Sequence, residues 1–172
     1  EMRAIGMHWT FAPNVEVARD QRWGRVGETY GEDPYLVSLM GSAAVKGFQG
    51  DEGLEKDLVL ACAKHFVGGS QPVNGTNGAP AELSERTLRE VFFPPFQACV
   101  DAGVETFMMA HNEIEGIPCH TNPWLMQDVI RKEMGFDGFI VSDWMDMEHV
   151  YDLHRTAVSV EDAYAQSVLA GM

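Results

Sequence analysis

The sequence predicts an α/β fold with a parallel sheet, on three observations. Short apolar runs alternate with stretches of helical periodicity along the chain. Those runs are continuously apolar rather than alternating in and out, as strands covered on both faces are. Asp-Pro or Asn-Pro pairs open the intervening segments and glycines close them, which is the punctuation of helices.

The elements follow in order. "MHWTFAP" (residues 7–13) reads as a strand closing at Pro13. In "EDPYLVSLMGSAAVKGFQG", Asp33 is placed to cap a helix, Pro34 to take its first position and Gly50 to end it. Tyr35, Leu36, Leu39, Met40, Ala43 and Phe48 recur there at helical spacing. "LVLACA" (58–63) is a second buried-strand candidate, and "KHFVGGSQPVNGTNGAPA" after it is a long loop, crowded with Gly, Asn and Pro. A helix opens near Ser84, is expected to break at Pro94-Pro95, and resumes to about Asp101, with Gly103 beyond it. "ETFMMA" (105–110) reads as a strand, "HNEIEGIPCHT" as a loop, "NPWLMQDVIRKEMG" as a helix capped by Asn122, and "GFIV" as a strand; residues 160–169 form a last helix. This set suits an open doubly wound sheet or roughly half of a (β/α)8 barrel, and periodicity does not choose between them.

Composition narrows the function. The 172 residues, 45% of them hydrophobic, support one buried core, and no repeat or linker divides the chain. A net charge of −14 argues against nucleic acid and anionic lipid as partners, since both attract basic faces. No run approaches the ~18 apolar residues of a membrane-inserted helix. "EMRAIGMHWTF" lacks a signal-peptide pattern, but a truncated start would hide one upstream, so localisation stays open, a periplasmic or secreted setting included. Cys62, Cys99 and Cys119 form no CxxC pair and lie in or beside apolar runs, which predicts packed thiols.

In either architecture the carboxyl ends of the strands share one rim, where ligands bind, so the polar residues after each run are informative. They are Lys64 and His65, His111 and Asn112, and Asp143, with Arg19, Asp20, Arg22, Arg25 and Glu28 on the loop after the first run. Each has a plainer reading: Asp143 as a helix cap, Lys64-His65 as a solvated strand end, and the arginines as surface partners of Glu16, Glu28 and Glu32. His111 and His120 read equally as ordinary half-buried histidines, His8 and Trp9 as core. A metal centre draws little support. HExxH is missing, and Asp143 with Asp146 or His149 is a spacing any exposed helix start shows. Without GxGxxG or GxxxxGK[ST], dinucleotide and P-loop sites are disfavoured.

Carbohydrate chemistry suits the rim better. A retaining glycosidase needs one fixed carboxylate to attack the anomeric carbon and a second carboxyl ~5 Å away to protonate the leaving oxygen. Asp143 suits the first role, with Lys64, His65 and Arg25 as donors to sugar hydroxyls. Trp144 is available to cover an apolar sugar face.

At these residues the chain resembles a known family. "VARDQRWGRVGETYGEDPYL", "ACAKHFVGG", "APAELSERTLREVFFPPF" and "EMGFDGFIVSDW" are similar, in order and spacing, to the signature segments of glycoside hydrolase family 3 in its β-glucosidase-like branch. The resemblance implies a partial (β/α)8 TIM-like barrel truncated at both ends. Residues 1–172 would then be part of the N-terminal barrel domain, and a second, acid/base-bearing domain of the same polypeptide would lie outside this chain. It implies that Asp143 is the nucleophile, that Arg25, Lys64 and His65 grip the sugar in the −1 subsite, and that Trp144 walls it. His111, in "AHN" where many relatives read "SYN", takes the place of a tyrosine of that pocket. No metal or organic cofactor is implied. The loop "SQPVNGTNGAPA" lacks the histidine that serves as acid/base in the N-acetylhexosaminidase branch, so the expected acid/base is a glutamate of the second domain.

The implied activity is that of a retaining, exo-acting β-glycosidase that releases terminal non-reducing β-D-glucosyl residues from a β-glucoside or oligosaccharide through a glycosyl-aspartate; the fragment alone would be inactive. β-Xylosidase is the alternative within the family. Outside it stand a non-catalytic sugar-binding module and a receiver-type phospho-acceptor domain. The latter is disfavoured because Lys64 precedes Asp143 and "MHWTFAP" ends without an acidic pair.

Overall fold

A computed structural model describes residues 1–51 and 54–172. Five short strands occur among them: β1 (Cys62–Phe66), β2 (Thr106–Met109), β3 (Glu113–Ile114), β4 (Ile117–Pro118) and β5 (Phe139–Val141). β1, β2 and β5 form a parallel sheet in that order, and β3 with β4 forms a separate antiparallel hairpin. The chain is therefore α/β, and its sheet is not closed.

The first expected strand, residues 7–13, is not continuous. It lies parallel to the next segment, but as isolated pairings of Trp9 with Leu60 and Asn14 with Lys64. Pro13 has no N–H to give to a ladder, and its carbonyl alone accepts from Lys64 N–H. The second expected strand is shifted. Leu60 makes only a bridge, and β1 runs on to Phe66, so Lys64 and His65 stand inside the strand rather than after it. Apolar patterning marked where burial begins but not where pairing continues, because His65 is buried by a partner and not by its own hydrophobicity.

Helix α1 (Pro34–Gln49) opens as expected: the Asp33 carboxylate accepts from the N–H groups of Tyr35 and Leu36. Helix α2 (residues 85–101) does not break at Pro94-Pro95. Its turns widen over Leu88–Phe92, where Phe93 N–H reaches back to Leu88 C=O, and both prolines fall in the first turn of Phe93–Asp101. There their missing donors cost no hydrogen bond. Helix α3 (Trp124–Glu133) is wound in similarly wide turns and starts where Asn122 accepts from Leu125 N–H at 3.3 Å. The expected loop at 111–121 contains the β3–β4 hairpin, turned by Glu115 and Gly116, both at positive φ (50° and 78°), the conformation a tight two-residue hairpin demands. Helix α4 (Asp146–Asp152) was not foreseen, and α5 (Val160–Ala170) was. All three cysteines are buried and free, as the apolar runs around them predict.

One aromatic cluster ties sheet to helices. Phe66 on β1 stacks on Phe93 at 5.5 Å and meets Phe96 edge-on at 4.9 Å, while Phe107 on β2 stacks on Phe136 at 4.5 Å. Such side chains each stabilise by about 2–3 kcal/mol when fully buried.

Gln49, fully buried at the end of α1, joins three segments at the opposite end of the sheet from the rim. Its Nε2 donates to Gly103 C=O at 2.7 Å, and its Oε1 accepts from Ala61 N–H at 2.9 Å and Glu105 N–H at 3.2 Å. Gln49→Leu keeps the volume but leaves three backbone groups, one buried and two half-buried, without this partner. Urea unfolding should show a loss of about 2–4 kcal/mol, against under about 1 kcal/mol for the exposed Gln21→Leu.

Candidate active site

Parallel pairing sets the rim. Thr106, Phe107 and Met108 of β2 lie opposite Phe139, Ile140 and Val141 of β5, and Phe66 of β1 lies opposite Met109. The strands thus end nearly level, and the residues just beyond them, His111 and Asp143, meet. The His111 Nε2 lies 3.2 Å from Asp143 Oδ2.

His65 reaches the same oxygen from inside β1. Only 2% of its side chain is exposed, yet it sits 3.3 Å from Asp143 Oδ2 through Nε2. Its other nitrogen, Nδ1, lies 2.7 Å from Oε2 of Glu16, itself 1% exposed. A carboxylate there holds the ring proton on Nδ1 and leaves Nε2 for the pocket. Arg25 Nη2 stands 3.3 Å from that Nε2. Arg25 is held in turn by two 2.9 Å bonds to Glu28, which raise its pKa above the ordinary value, and its guanidinium lies 5.5 Å from the Trp23 ring centroid. Of the arginine cluster, then, only Arg25 faces the site; Arg22 is tied to Asp20 at the surface.

Asp143 does not cap α4, whose first residue follows Met145 with no side-chain cap. Its Oδ1 accepts from Trp144 N–H at 2.6 Å. Met145 then takes a left-handed conformation (φ 56°), strained for a side chain of this kind, and the reversal delivers Asp146 beneath the rim. Asp146 is 2% exposed and its Oδ2 lies 2.7 Å from His111 Nδ1. That bond raises the His111 pKa above its usual value against the effect of burial. His120, beside it, is buried deeply enough that its pKa falls to about 4, although its Nε2 is only 3.8 Å from Asp146.

Lys64, Phe11, Met108, Ser142, Asp143, Trp144 and Met145 line an open cavity of about 330 Å³. The structure thus brings together Arg25, His65, His111 and Asp143 by direct approach, and Lys64 and Trp144 with Asp143 as walls of one pocket. Trp144 is 80% exposed. Three residues of the site stand outside the sequence expectation in these roles: Glu16, Asp146 and His120. A signal existed for Glu16, a lone carboxylate between Val15 and Val17 in an otherwise apolar run. None existed for the others, whose partners are remote in sequence.

One nitrogen of His111 and one oxygen each of Asp143 and Asp146 lie within 4.8 Å of one another. The imidazole is hydrogen-bonded through Nδ1 to Asp146, and its Nε2 lies 3.2 Å from Asp143 Oδ2.

Known proteins resemble the chain in sequence and fold. The family model for the glycosyl hydrolase family 3 N terminal domain matches residues 1–172. A β-xylosidase of Formosa agariphila is 47% identical over all of the chain. A β-glucosidase structure from Erythrobacter marinus superposes over 99% of the chain with a TM-score of 0.97 at 38% identity. A Listeria innocua β-glucosidase in complex with glucose does so over 100% with 0.94 at 40%. The chain spans 24%, 23% and 24% of the lengths of these three proteins.

The depressed His120 value has a consequence for stability. Between about pH 6.5 and 4 the unfolded chain binds a proton at this ring and the folded chain does not. Stability present above pH ~6.5 is therefore lost as pH falls, by roughly 3 kcal/mol in all. In a pH series of urea unfolding, His120→Gln should flatten that acid slope; an unchanged slope would place the acid sensitivity elsewhere.

Proposed function

The chain belongs to glycosyl hydrolase family 3, and from that premise we propose that it carries the nucleophile of a retaining β-glycosidase, Asp143. The observation that supports this most is the setting of that carboxylate. It stands two residues beyond β5 on the wall of an open pocket, oriented by Trp144 N–H on one oxygen and approached by His65 and His111 on the other.

In the proposed reaction, an Asp143 oxygen attacks the anomeric carbon while the bond to the leaving oxygen breaks, with a proton supplied by an acid. Water then releases the glycosyl ester with inversion a second time, giving net retention. Lys64 and Arg25 supply donors to sugar hydroxyls, His65 offers them its Nε2, and His111 and Trp144 complete the pocket. Holding the sugar against a fixed nucleophile is itself a large part of the acceleration. The carboxyls of Glu16, Glu28 and Asp146 are engaged by His65, Arg25 and His111; as the resemblance to the β-glucosidase-like branch implies, the acid/base is proposed to be a glutamate on a second domain of the full-length polypeptide. On the same reading the three-stranded sheet is an arc of a (β/α)8 barrel, whose active sites lie at the strands' carboxyl ends.

The substrate class is a terminal β-D-glucoside or β-D-xyloside. These differ by one hydroxymethyl group, and relatives named for both sugars resemble the chain. A panel of aryl β-glucosides and β-xylosides on the full-length protein should separate them, since one misfit group in a pocket is worth about 10–200-fold in kcat/KM. Asp143→Ala should lower turnover by at least ~10³-fold. A 2-fluoro-glycoside should label the peptide that contains Asp143. Sugar binding without an adduct would instead favour a non-catalytic carbohydrate module, and wild-type turnover in Asp143→Ala would remove the nucleophile assignment.

A further inference from the structure

We propose that Asp146 and His111 form a positioning relay that holds the Asp143 carboxylate for attack and makes that hold depend on pH. This rests on the reading of Asp143 as the nucleophile. It is carried by a chain of contacts: Asp146 Oδ2 to His111 Nδ1 at 2.7 Å, and His111 Nε2 to Asp143 Oδ2 at 3.2 Å.

The parts are built to fix the imidazole. Asp146 is almost wholly buried, delivered by the left-handed Met145, and a buried carboxylate needs a partner. The main chain of His111 is pinned as well, for His154 Nε2 lies 3.1 Å from the His111 carbonyl and His154 Nδ1 lies 2.7 Å from Glu113. With Nδ1 committed to Asp146, a second proton on the ring can sit only on Nε2, the nitrogen 3.2 Å from Asp143 Oδ2.

Charge decides when that proton is present. From α4 the ring faces Asp146, and from beyond β5 it faces Asp143; both favour the imidazolium. Arg25, just before the turn Val26–Glu28, opposes it. His65 on β1 stacks on the ring with centroids 6.0 Å apart, its own Nδ1 taken by Glu16. His120, from the turn Cys119–Thr121, is uncharged near neutrality and adds no competing cation beside Asp146. The balance raises the His111 pKa, the hydrogen bond to Asp146 being the largest cause. So the proton is held up to a higher pH than an ordinary histidine would hold it. When it leaves, Asp143 keeps the Trp144 N–H on Oδ1 but loses the positive charge 3.2 Å from Oδ2, and two carboxylates face one neutral ring.

The test uses the full-length protein and a 2,4-dinitrophenyl glycoside, whose leaving group needs no proton, so that the acid/base does not shape the alkaline limb of kcat/KM. In the wild type that limb should follow His111. In Asp146→Asn it should move to lower pH, with a loss of about tenfold at pH ~8 and about threefold or less at pH ~6. His111→Tyr, which keeps a donor that does not ionise until pH ~10, should lose the limb below pH ~9. The ring of His111, followed by NMR of ¹³C-labelled histidine, should titrate lower in Asp146→Asn than in the wild type. An equal loss at every pH in Asp146→Asn, or a His111 titration that Asp146→Asn leaves in place, would overturn the relay. If Asp143→Ala kept turnover while the His111 titration still shifted in Asp146→Asn, the nucleophile reading would fail and the Asp146–His111 pairing would stand.

Discussion

The parallel pairing of β1, β2 and β5 is the constraint on which the rest of the structure depends. Because parallel strands run the same way, their carboxyl ends form one edge, and the register places Phe66 beside Met109 and Met108 beside Val141. Two residues past Met109 and Val141, His111 and Asp143 are then bound to meet. The aromatic cluster of Phe66, Phe93, Phe96, Phe107 and Phe136 holds the sheet to its helices, and Gln49 closes the far end. Holding side chains from separate strands at contact distance needs such a rigid base.

Three histidine–carboxylate pairs, each at 2.7 Å and each partly or wholly removed from water, organise the polar layer above that base: His65 with Glu16, His111 with Asp146, and His154 with Glu113. None joins near neighbours in sequence. Burying such groups is costly, and pairs of this kind add little net stability. Their use is orientation. Each carboxylate commits one ring nitrogen, so the other points where the fold directs it, at Asp143 for two of the three rings. His120 is the counter-example: with Asp146 at 3.8 Å and not hydrogen-bonded to it, the ring yields to desolvation and stays uncharged down to about pH 4.

Much of this was legible in the residues. Asp33-Pro34 opened its helix as capping chemistry requires, and the buried thiols were foreseen from apolar neighbours. The rim residues after the apolar runs did converge, including His111 and Asp143. The errors differ in cause. Residues 7–13 pair only at isolated bridges; β1 ran past its apolar stretch because Glu16 makes His65 buriable; and Pro94-Pro95 did not break α2 because the widened turn just before them leaves no donor wanted. Only for His65 did the deciding partner lie outside the local window.

By itself the sequence determined the α/β class and the order of the main elements, since these rest on patterns of polarity, proline and glycine that act over a few residues; the family and the candidate nucleophile came from the resemblance its signature segments carry. Only the tertiary structure decided which groups address Asp143 and in what state. Hydrogen bonds and desolvation depend on distances between segments tens of residues apart, such as Glu16 and His65 or His111 and Asp146. A one-dimensional pattern holds no such distance.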